Sequence, residues 1–144
     1  MHTRLLGTAA VLGAVALGFA CGNPTHTNGC GTGTPADLSG SYVLASYTLG
    51  TKHWTAPPSS GGLQLSSFTY SYTITLSNTP SPPTVVRDSG TYEFVGLTCI
   101  IQTSLLDTTH FAGSFAVTTT GGITQLGETG SDGTNPVGFV WTKQ

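Results

Sequence analysis

Apolar and polar residues alternate along much of this chain, most regularly between residues 68 and 77. In this segment Phe, Tyr, Ile and Leu fall on one face of an extended chain, and only Ser and Thr fall on the other. The pattern predicts a strand with one buried face. Similar but less regular segments occupy residues 40–49, 63–66, 85–88, 91–103 with a break near Gly96, 111–119, 123–126 and 137–142.

Turn-forming residues separate these segments. Proline, glycine, asparagine and aspartate are concentrated at residues 57–62, 78–83, 88–90, 121–122 and 131–136. No window of a dozen residues carries an apolar stripe with helical spacing. The longest helix that the pattern allows is one short turn near residues 105–109. Alternating segments with short connections therefore predict an all-β domain.

The composition supports the same fold class. Asp, Glu, Lys and Arg make up 7% of the 144 residues, whereas the chain contains 26 Thr, 14 Ser and 20 Gly. An ordinary soluble domain carries about 25% charged residues, so hydroxyl groups of high β-propensity take their place here. With four basic residues and a formal net charge of −2, the chain lacks the positive surface that nucleic acid or an anionic membrane surface requires.

Two architectures suit about eight short strands joined by local connections. One is a small antiparallel up-and-down β-barrel, and the other is a two-sheet β-sandwich. The barrel is favoured because closure removes strand edges that a chain so poor in Lys and Glu would leave unprotected. The length fits one folded domain, which we place at residues 36–144.

Residues 1–20 are typical of a secretory signal peptide. His2 and Arg4 form a short positive region, residues 5–19 are uncharged and mostly apolar, and Ala20 completes a small-x-small cleavage site. The apolar stretch ends at Cys21, before it is long enough to favour a retained membrane helix. We therefore expect an exported protein.

The segment Leu17-Gly18-Phe19-Ala20-Cys21 resembles the lipobox of bacterial lipoproteins. The resemblance implies that Cys21 is acylated and anchors the protein to the bacterial cell envelope, at the outer membrane or the periplasmic face, with no other membrane contact. The alternative is ordinary cleavage at the same bond, which would release a soluble secreted protein. Residues 21–35 are rich in Gly, Thr, Asn and Pro, and we expect them to form a flexible tether between an acylated Cys21 and the folded domain.

Three cysteines are an odd number for an oxidising compartment. If Cys21 carries lipid, Cys30 and Cys99 remain as a pair, and a disulfide between them would join the tether to the domain. The alternative is that Cys99, which lies in the apolar run at residues 97–101, is a buried free thiol.

Three segments resemble the lipocalin-like family of small secreted barrels. Residues 38–44 resemble the opening Gly-x-Trp strand, with Tyr42 in place of the tryptophan. Residues 88–94 resemble the Gly-Thr-Tyr strand of short bacterial members, and residues 138–143 resemble the closing aromatic strand. The resemblance implies that Lys143 covers the Tyr42 ring and closes one barrel end through a cation–π contact. It also implies that the barrel binds a small apolar molecule.

The barrel interior decides between a ligand pocket and a filled core. An eight-stranded barrel is just wide enough for side chains to fill it. Trp54, which follows Lys52 and His53, is interpreted either as a loop contact for a binding partner or as a lid over the barrel end. The large rings that would line a pocket or plug it are Phe68, Tyr70, Tyr72, Phe111 and Phe115.

Patterns typical of catalysis and metal binding are weak. His26, His53 and His110 are not spaced as metal ligands. Ser104, Asp107 and His110 supply the residue types of a hydrolytic triad, but no Gly-x-Ser-x-Gly motif accompanies them. The sequence predicts no catalytic residue, no metal and no cofactor, and it favours a binding protein over an enzyme.

Two functions remain open from the sequence. The first is a lipid-anchored barrel that binds a small apolar molecule. The second is a non-enzymatic structural or interaction module that presents its loops to an unidentified protein or glycan partner. An apolar cavity that opens at one barrel end would favour the first function, and a filled interior would favour the second.

Overall fold

The computed structural model describes residues 29–77 and 82–144, which form nine strands and no helical element. The predicted signal peptide, Cys21 and the first part of the predicted tether lie outside the described residues. The strands are β1 (Gly40–Leu49), β2 (Lys52–Thr55), β3 (Ser60–Leu65), β4 (Thr69–Leu76), β5 (Thr84–Val95), β6 (Cys99–Ser104), β7 (His110–Thr120), β8 (Ile123–Ser131) and β9 (Pro136–Lys143).

The strands form a single antiparallel sheet in the order β2-β1-β3-β4-β5-β6-β7-β8-β9. The strands β1 and β9 also pair with each other, with Tyr42 opposite Lys143 and Leu49 opposite Val137. This pairing closes eight strands, β1 and β3 to β9, into an up-and-down barrel. The predicted barrel is confirmed, and the β-sandwich alternative is excluded.

The short strand β2 shares one edge of β1 with β3 and is not one of the eight strands that close the barrel. β1 pairs with β9 along one edge, and along its other edge residues 40–43 pair with β3 while residues 46–49 pair with β2. β2 and β3 therefore follow one another beside β1, separated by the turn at residues 56–59. The sequence pattern misses β2 because four residues are too few to show a clear alternation.

Strand β5 runs unbroken for 12 residues through Asp88, Ser89 and Gly90, so the turn predicted there is wrong. A Cβ at Gly90 would clash with the Thr103 carbonyl oxygen on β6. Glycine therefore permits a close approach between two strands at this position. The helical turn expected near Leu105 is also absent, because residues 105–109 form the loop between β6 and β7.

Large side chains from all the strands pack inside the barrel. In β4, Tyr70, Ile74 and Leu76 are buried and Tyr72 is half-buried, so the predicted inner face is present from Tyr70 onward. Phe68, predicted to share that face, is 73% exposed. It belongs to the β3–β4 turn, and the alternation begins only after the turn ends.

Alternate connections of an up-and-down barrel lie at the same end. The β3–β4, β5–β6 and β7–β8 turns accompany the start of β1 and the end of β9, and we call this the closed end. The β1–β2, β6–β7 and β8–β9 loops lie opposite, at what we call the open end. The closed-end turns are residues 66–68, 96–98 and 121–122, and the open-end loops are residues 50–51, 105–109 and 132–135.

The two flanks of the barrel sequence seal the closed end. Lys143 Nζ lies 5.7 Å from the centroid of the Tyr42 ring and donates to the Ser39 carbonyl oxygen at 3.0 Å. The Tyr42 hydroxyl donates to the carbonyl oxygen of buried Leu38 at 2.6 Å. Gly40 leaves room for the lysine, since a Cβ there would lie 2.9 Å from Lys143 Cε. The structure thus places Lys143 over Tyr42 at this end.

A disulfide joins Cys30 to Cys99, which are separated by 69 positions in the sequence, so this prediction is confirmed. The Cys30 carbonyl oxygen also accepts hydrogen bonds from the N–H groups of Leu97 and Thr98, at 2.6 and 3.0 Å. Cys30 itself is buried. The chain at Cys30 is therefore held against the β5–β6 turn of the closed end.

Candidate ligand-binding cavity

A cavity of about 210 Å³ lies at the open end of the barrel. Its lining includes Asp107 and Asp132 from two of the open-end loops. The remaining walls come from the inner faces of the strands. Aromatic rings make up a large part of these walls, and they belong to Tyr47, Tyr70, Tyr72, Phe111 and Phe139.

Phe139 is the centre of the aromatic wall. Its ring centroid lies 5.2 Å from that of Tyr47, 5.5 Å from that of Tyr72 and 6.1 Å from that of Phe111. Trp54 stacks on Tyr47 with centroids 5.5 Å apart. Aromatic pairs at these separations attract one another. The rings therefore hold each other in place, and the wall is formed before any ligand arrives.

The five aromatic rings predicted to lie in the barrel interior occupy three different environments. Tyr70, Tyr72 and Phe111 line the cavity. Phe115 is buried but is not part of the lining, and its ring packs against Phe94 at 5.0 Å. Phe68 lies on the outside of the protein. Three of these rings thus face the cavity.

Trp54 is 7% exposed, so its prediction as a loop contact for a partner is wrong. It lies in β2, where pairing with β1 sets Trp54 directly opposite Tyr47. Paired residues of an antiparallel ladder project to the same face of the sheet, and Tyr47 projects into the barrel. The indole packs against Tyr47 and supports the aromatic wall. This position is closer to the other interpretation, in which Trp54 is a lid over the barrel end.

Asp88 brings a carboxylate to the cavity wall. Its Oδ2 accepts a hydrogen bond from the Tyr70 hydroxyl at 2.5 Å, and its Oδ1 accepts from Ser104 Oγ at 2.6 Å and from Ser89 N at 2.7 Å. Burial and the bond to Asp88 raise the pKa of Tyr70, so the phenol stays protonated as the donor. The sequence analysis misses this role because Asp-Ser-Gly is typical of a turn. The indication it could have used is the position of Asp88 two residues after Val86 and four before Tyr92, which places all three on one face of an extended strand.

The two loop aspartates are held by their own loops. Asp107 Oδ1 accepts from Thr109 Oγ1 at 2.6 Å and from Thr109 N at 3.0 Å, and these bonds lower the Asp107 pKa below its usual range. Asp132 Oδ1 accepts from the N–H groups of Thr134 and Asn135, at 2.8 and 2.6 Å. Each carboxylate is thus fixed to its own loop through Oδ1.

A second polar group lies deeper in the barrel. Gln102 is part of the cavity lining, and its Nε2 donates to Glu128 Oε1 at 3.2 Å. Glu128 is 2% exposed, and burial raises its pKa to about 7, against smaller opposing effects of Trp141 and Gln102. The buried indole Nε1 of Trp141 lies outside hydrogen-bonding geometry with every described residue. The sequence analysis missed Glu128, although it follows Leu126 on the inward phase of β8.

The residue types of a hydrolytic triad do not converge. Ser104 Oγ donates to Asp88, whereas His110 is exposed and its Nδ1 lies 3.2 Å from Thr103 Oγ1. Among residues 29–77 and 82–144, no three His, Cys, Asp or Glu side chains are grouped so that they could hold a metal ion. The same residues contain no helix of the length and apolarity needed to cross a membrane.

Comparisons with protein-family models, with curated proteins and with solved structures found no significant match to this chain.

Proposed function

We propose that this protein is an exported, lipid-anchored barrel of the cell envelope, similar to the lipocalin-like family, that binds one small molecule in the cavity at its open end. The observation that carries the proposal is the cavity itself, which measures about 210 Å³ and has a wall of mutually supporting aromatic rings. Protein interiors are normally packed as densely as organic crystals. A space of this size in so small a domain favours a binding role.

The volume sets the size of the ligand. An apolar cavity of about 150 Å³ accepts benzene, whereas pockets for drug-sized molecules measure about 300 to 1,000 Å³. A cavity of about 210 Å³ suits a single ring with a short substituent, or a chain of a few carbon atoms. A long-chain fatty acid is too large. The proposal therefore restricts the small apolar ligands that the family resemblance implies to molecules of about this size.

The position of the disulfide supports a particular orientation on the envelope. Cys30 is bonded to Cys99 at the closed end, and the nine residue-to-residue steps from Cys21 to Cys30 span at most about 30 Å. An acyl group on Cys21 would therefore hold the closed end nearer to the membrane. The cavity, at the opposite end, would remain accessible to solvent.

Two neighbouring valines of β5 provide a matched test. Val86 is half-buried and lines the cavity, whereas Val85 is 46% exposed on the outer face. Val86→Phe should fill the cavity, and Val85→Phe adds the same ring outside it. The probes are 2-phenylethylamine, 2-phenylethanol and 3-phenylpropionate, measured by calorimetry on the folded variants. We expect at least one probe to bind the wild type and Val85→Phe, with roughly tenfold or greater loss in Val86→Phe.

Two results would overturn the proposal. One is the absence of binding by all three probes, and the other is equal binding by the Val86→Phe and Val85→Phe variants. A separate change, Cys21→Ser, tests the anchor, since it should release the protein from membrane fractions. A variant that stays in the membrane fraction with normal processing would contradict lipid anchoring while leaving the cavity proposal intact.

A second function, presentation of loops to a protein or glycan partner, is supported by one observation. Leu105 and Leu106, in the β6–β7 loop of the open end, are 74% and 64% exposed. Adjacent exposed leucines are unusual on a surface without a partner. The double change Leu105→Ser and Leu106→Ser should leave probe binding unchanged, and loss of a crosslinked envelope partner in that variant would establish the second function.

A further inference from the structure

We infer that the ligand of the cavity is a small organic cation, a protonated amine carried on one aromatic ring or on a short alkyl chain. This inference rests on the proposed function, because it names the ligand class of the same cavity. Three features carry it: the sign of the charges in the lining, a hydrogen-bond acceptor that lacks a partner, and the aromatic faces of the same lining.

Negative charge is concentrated at the cavity in a chain that has very little charge. Asp88, Asp107 and Asp132 all line it, and they are half of the six acidic residues in the chain. Arg87 is the basic residue of the lining. Arg87 is exposed, and three aspartates with one arginine give these side chains of the lining a formal net charge of −2. The field inside the cavity therefore favours a cation and disfavours an anion.

One acceptor of the cavity lining lacks a hydrogen-bond partner. Gln102 lines the cavity and is 4% exposed, and its Nε2 is fixed by the bond to Glu128. Its Oε1 then has no hydrogen-bond partner among residues 29–77 and 82–144. Asp107, which is exposed, and Asp132, which is half-buried, add carboxylate oxygens at the open end of the cavity. A buried acceptor without a partner is costly, and an ammonium group supplies three donors.

The aromatic wall suits the same ligand. Rings of Tyr47, Tyr72 and Phe139 lie within 5.5 Å of their neighbours and line one cavity with the carboxylates. The face of an aromatic ring attracts a cation and also packs against an apolar ring. A neutral ring would use only the apolar contact and would leave the Gln102 acceptor unpaired. An organic ammonium ion satisfies both parts of the cavity.

The three probes separate this inference from the proposed function, because they have nearly the same shape and differ in charge. At pH 7 and low salt, we expect 2-phenylethylamine to bind roughly tenfold or more tightly than 2-phenylethanol, and 3-phenylpropionate to bind most weakly. Equal or tighter binding of the alcohol or the carboxylate, with sensitivity to Val86→Phe, would overturn the cationic ligand and preserve the cavity function. Absence of binding by every probe would overturn both.

Two double variants test whether the loop aspartates cause the expected preference for 2-phenylethylamine over 2-phenylethanol. Asp107→Asn with Asp132→Asn removes two charges and keeps the side-chain oxygens that hold the loops. Asp37→Asn with Glu93→Gln removes two charges from exposed positions outside the cavity lining. We expect the first pair to lower the affinity for 2-phenylethylamine about tenfold and to leave that for 2-phenylethanol unchanged. Equal loss in both pairs, or no loss in the first, would overturn the inference.

Discussion

The two ends of the barrel are built from the same strands, but their polar groups differ in whether they have hydrogen-bond partners within the protein. At the closed end, Lys143 donates to Ser39, the Tyr42 hydroxyl donates to Leu38, and the Cys30 carbonyl oxygen accepts two backbone bonds. At the open end, within the described residues, the Tyr72 hydroxyl has no hydrogen-bond partner, and neither does Gln102 Oε1. These closed-end groups are bonded within the chain, with the buried Trp141 Nε1 in the same half of β9 as an exception. The open end leaves two side-chain groups of the cavity lining for contacts from outside.

This difference separates stability from binding. Satisfied hydrogen bonds, a disulfide and a covered aromatic ring stabilise a fold. Unpaired acceptors and an unfilled space cost stability, and proteins keep such features where they bind something. Changes at the closed end should therefore alter the free energy of unfolding without changing probe affinity. Changes in the cavity should alter the probe affinity.

The largest effect is expected from the disulfide. Replacing Cys30 and Cys99 together by serine frees a chain segment of 69 positions, and the chain-entropy model gives a loss of about 4 kcal/mol. Urea unfolding measures the loss, and calorimetry with 2-phenylethylamine at low temperature should show unchanged affinity. Reduced probe affinity in the folded double variant would show that the two ends are not independent.

The next effect is expected at Ile74, which has no exposed surface and lies outside the cavity lining. Ile74→Ala should lower the free energy of unfolding by about 3 kcal/mol, because it removes buried methyl groups and leaves a void. Thr73→Ala, at the exposed neighbouring position, should change it by less than about 0.5 kcal/mol. Equal melting temperatures for these two variants would contradict the assigned inner face of β4.

A smaller effect is expected from pH through Glu128. Its pKa rises from the ordinary 4.5 to about 7 on folding because of burial, so the folded state holds a proton that the unfolded state releases. The contribution is full below about pH 4.5 and is lost as the pH rises through about 7, with a total of about 3 kcal/mol at most. Glu128→Gln should abolish this dependence. An unchanged slope between pH 5 and 8 in that variant, measured by urea unfolding, would contradict the assignment to Glu128.

The sequence predicts most of the barrel because inward apolar residues alternate with outward hydroxyls, as in β4. It misses β2, which is too short for a pattern, and it misplaces Phe68, whose turn precedes the alternation. The polar cavity residues were harder to find. Asp88 and Glu128 point inward where the pattern expects apolar residues, and Asp-Ser-Gly is typical of a turn. Periodicity assigns a face to each residue, but the space left between opposite walls depends on packing across the barrel.

The smallest effect is expected at Lys143. Lys143→Met keeps an apolar chain over the Tyr42 ring but removes the charge 5.7 Å from its centroid and the bond to the Ser39 carbonyl oxygen. A cation–π contact at an exposed site contributes about 0.5 to 1 kcal/mol, so the expected loss is about 1 kcal/mol.

Lys52→Met is the matched control, since Lys52 is exposed at the start of β2, next to the open end. It should change the free energy of unfolding by less than about 0.5 kcal/mol. Lys143→Arg should restore most of the loss, because arginine also stacks on aromatic faces. Equal stabilities for Lys143→Met and Lys52→Met would mean that the cover over Tyr42 adds nothing to the closed end. The contrast between the two ends would then depend on the disulfide and the backbone bonds at Cys30 alone.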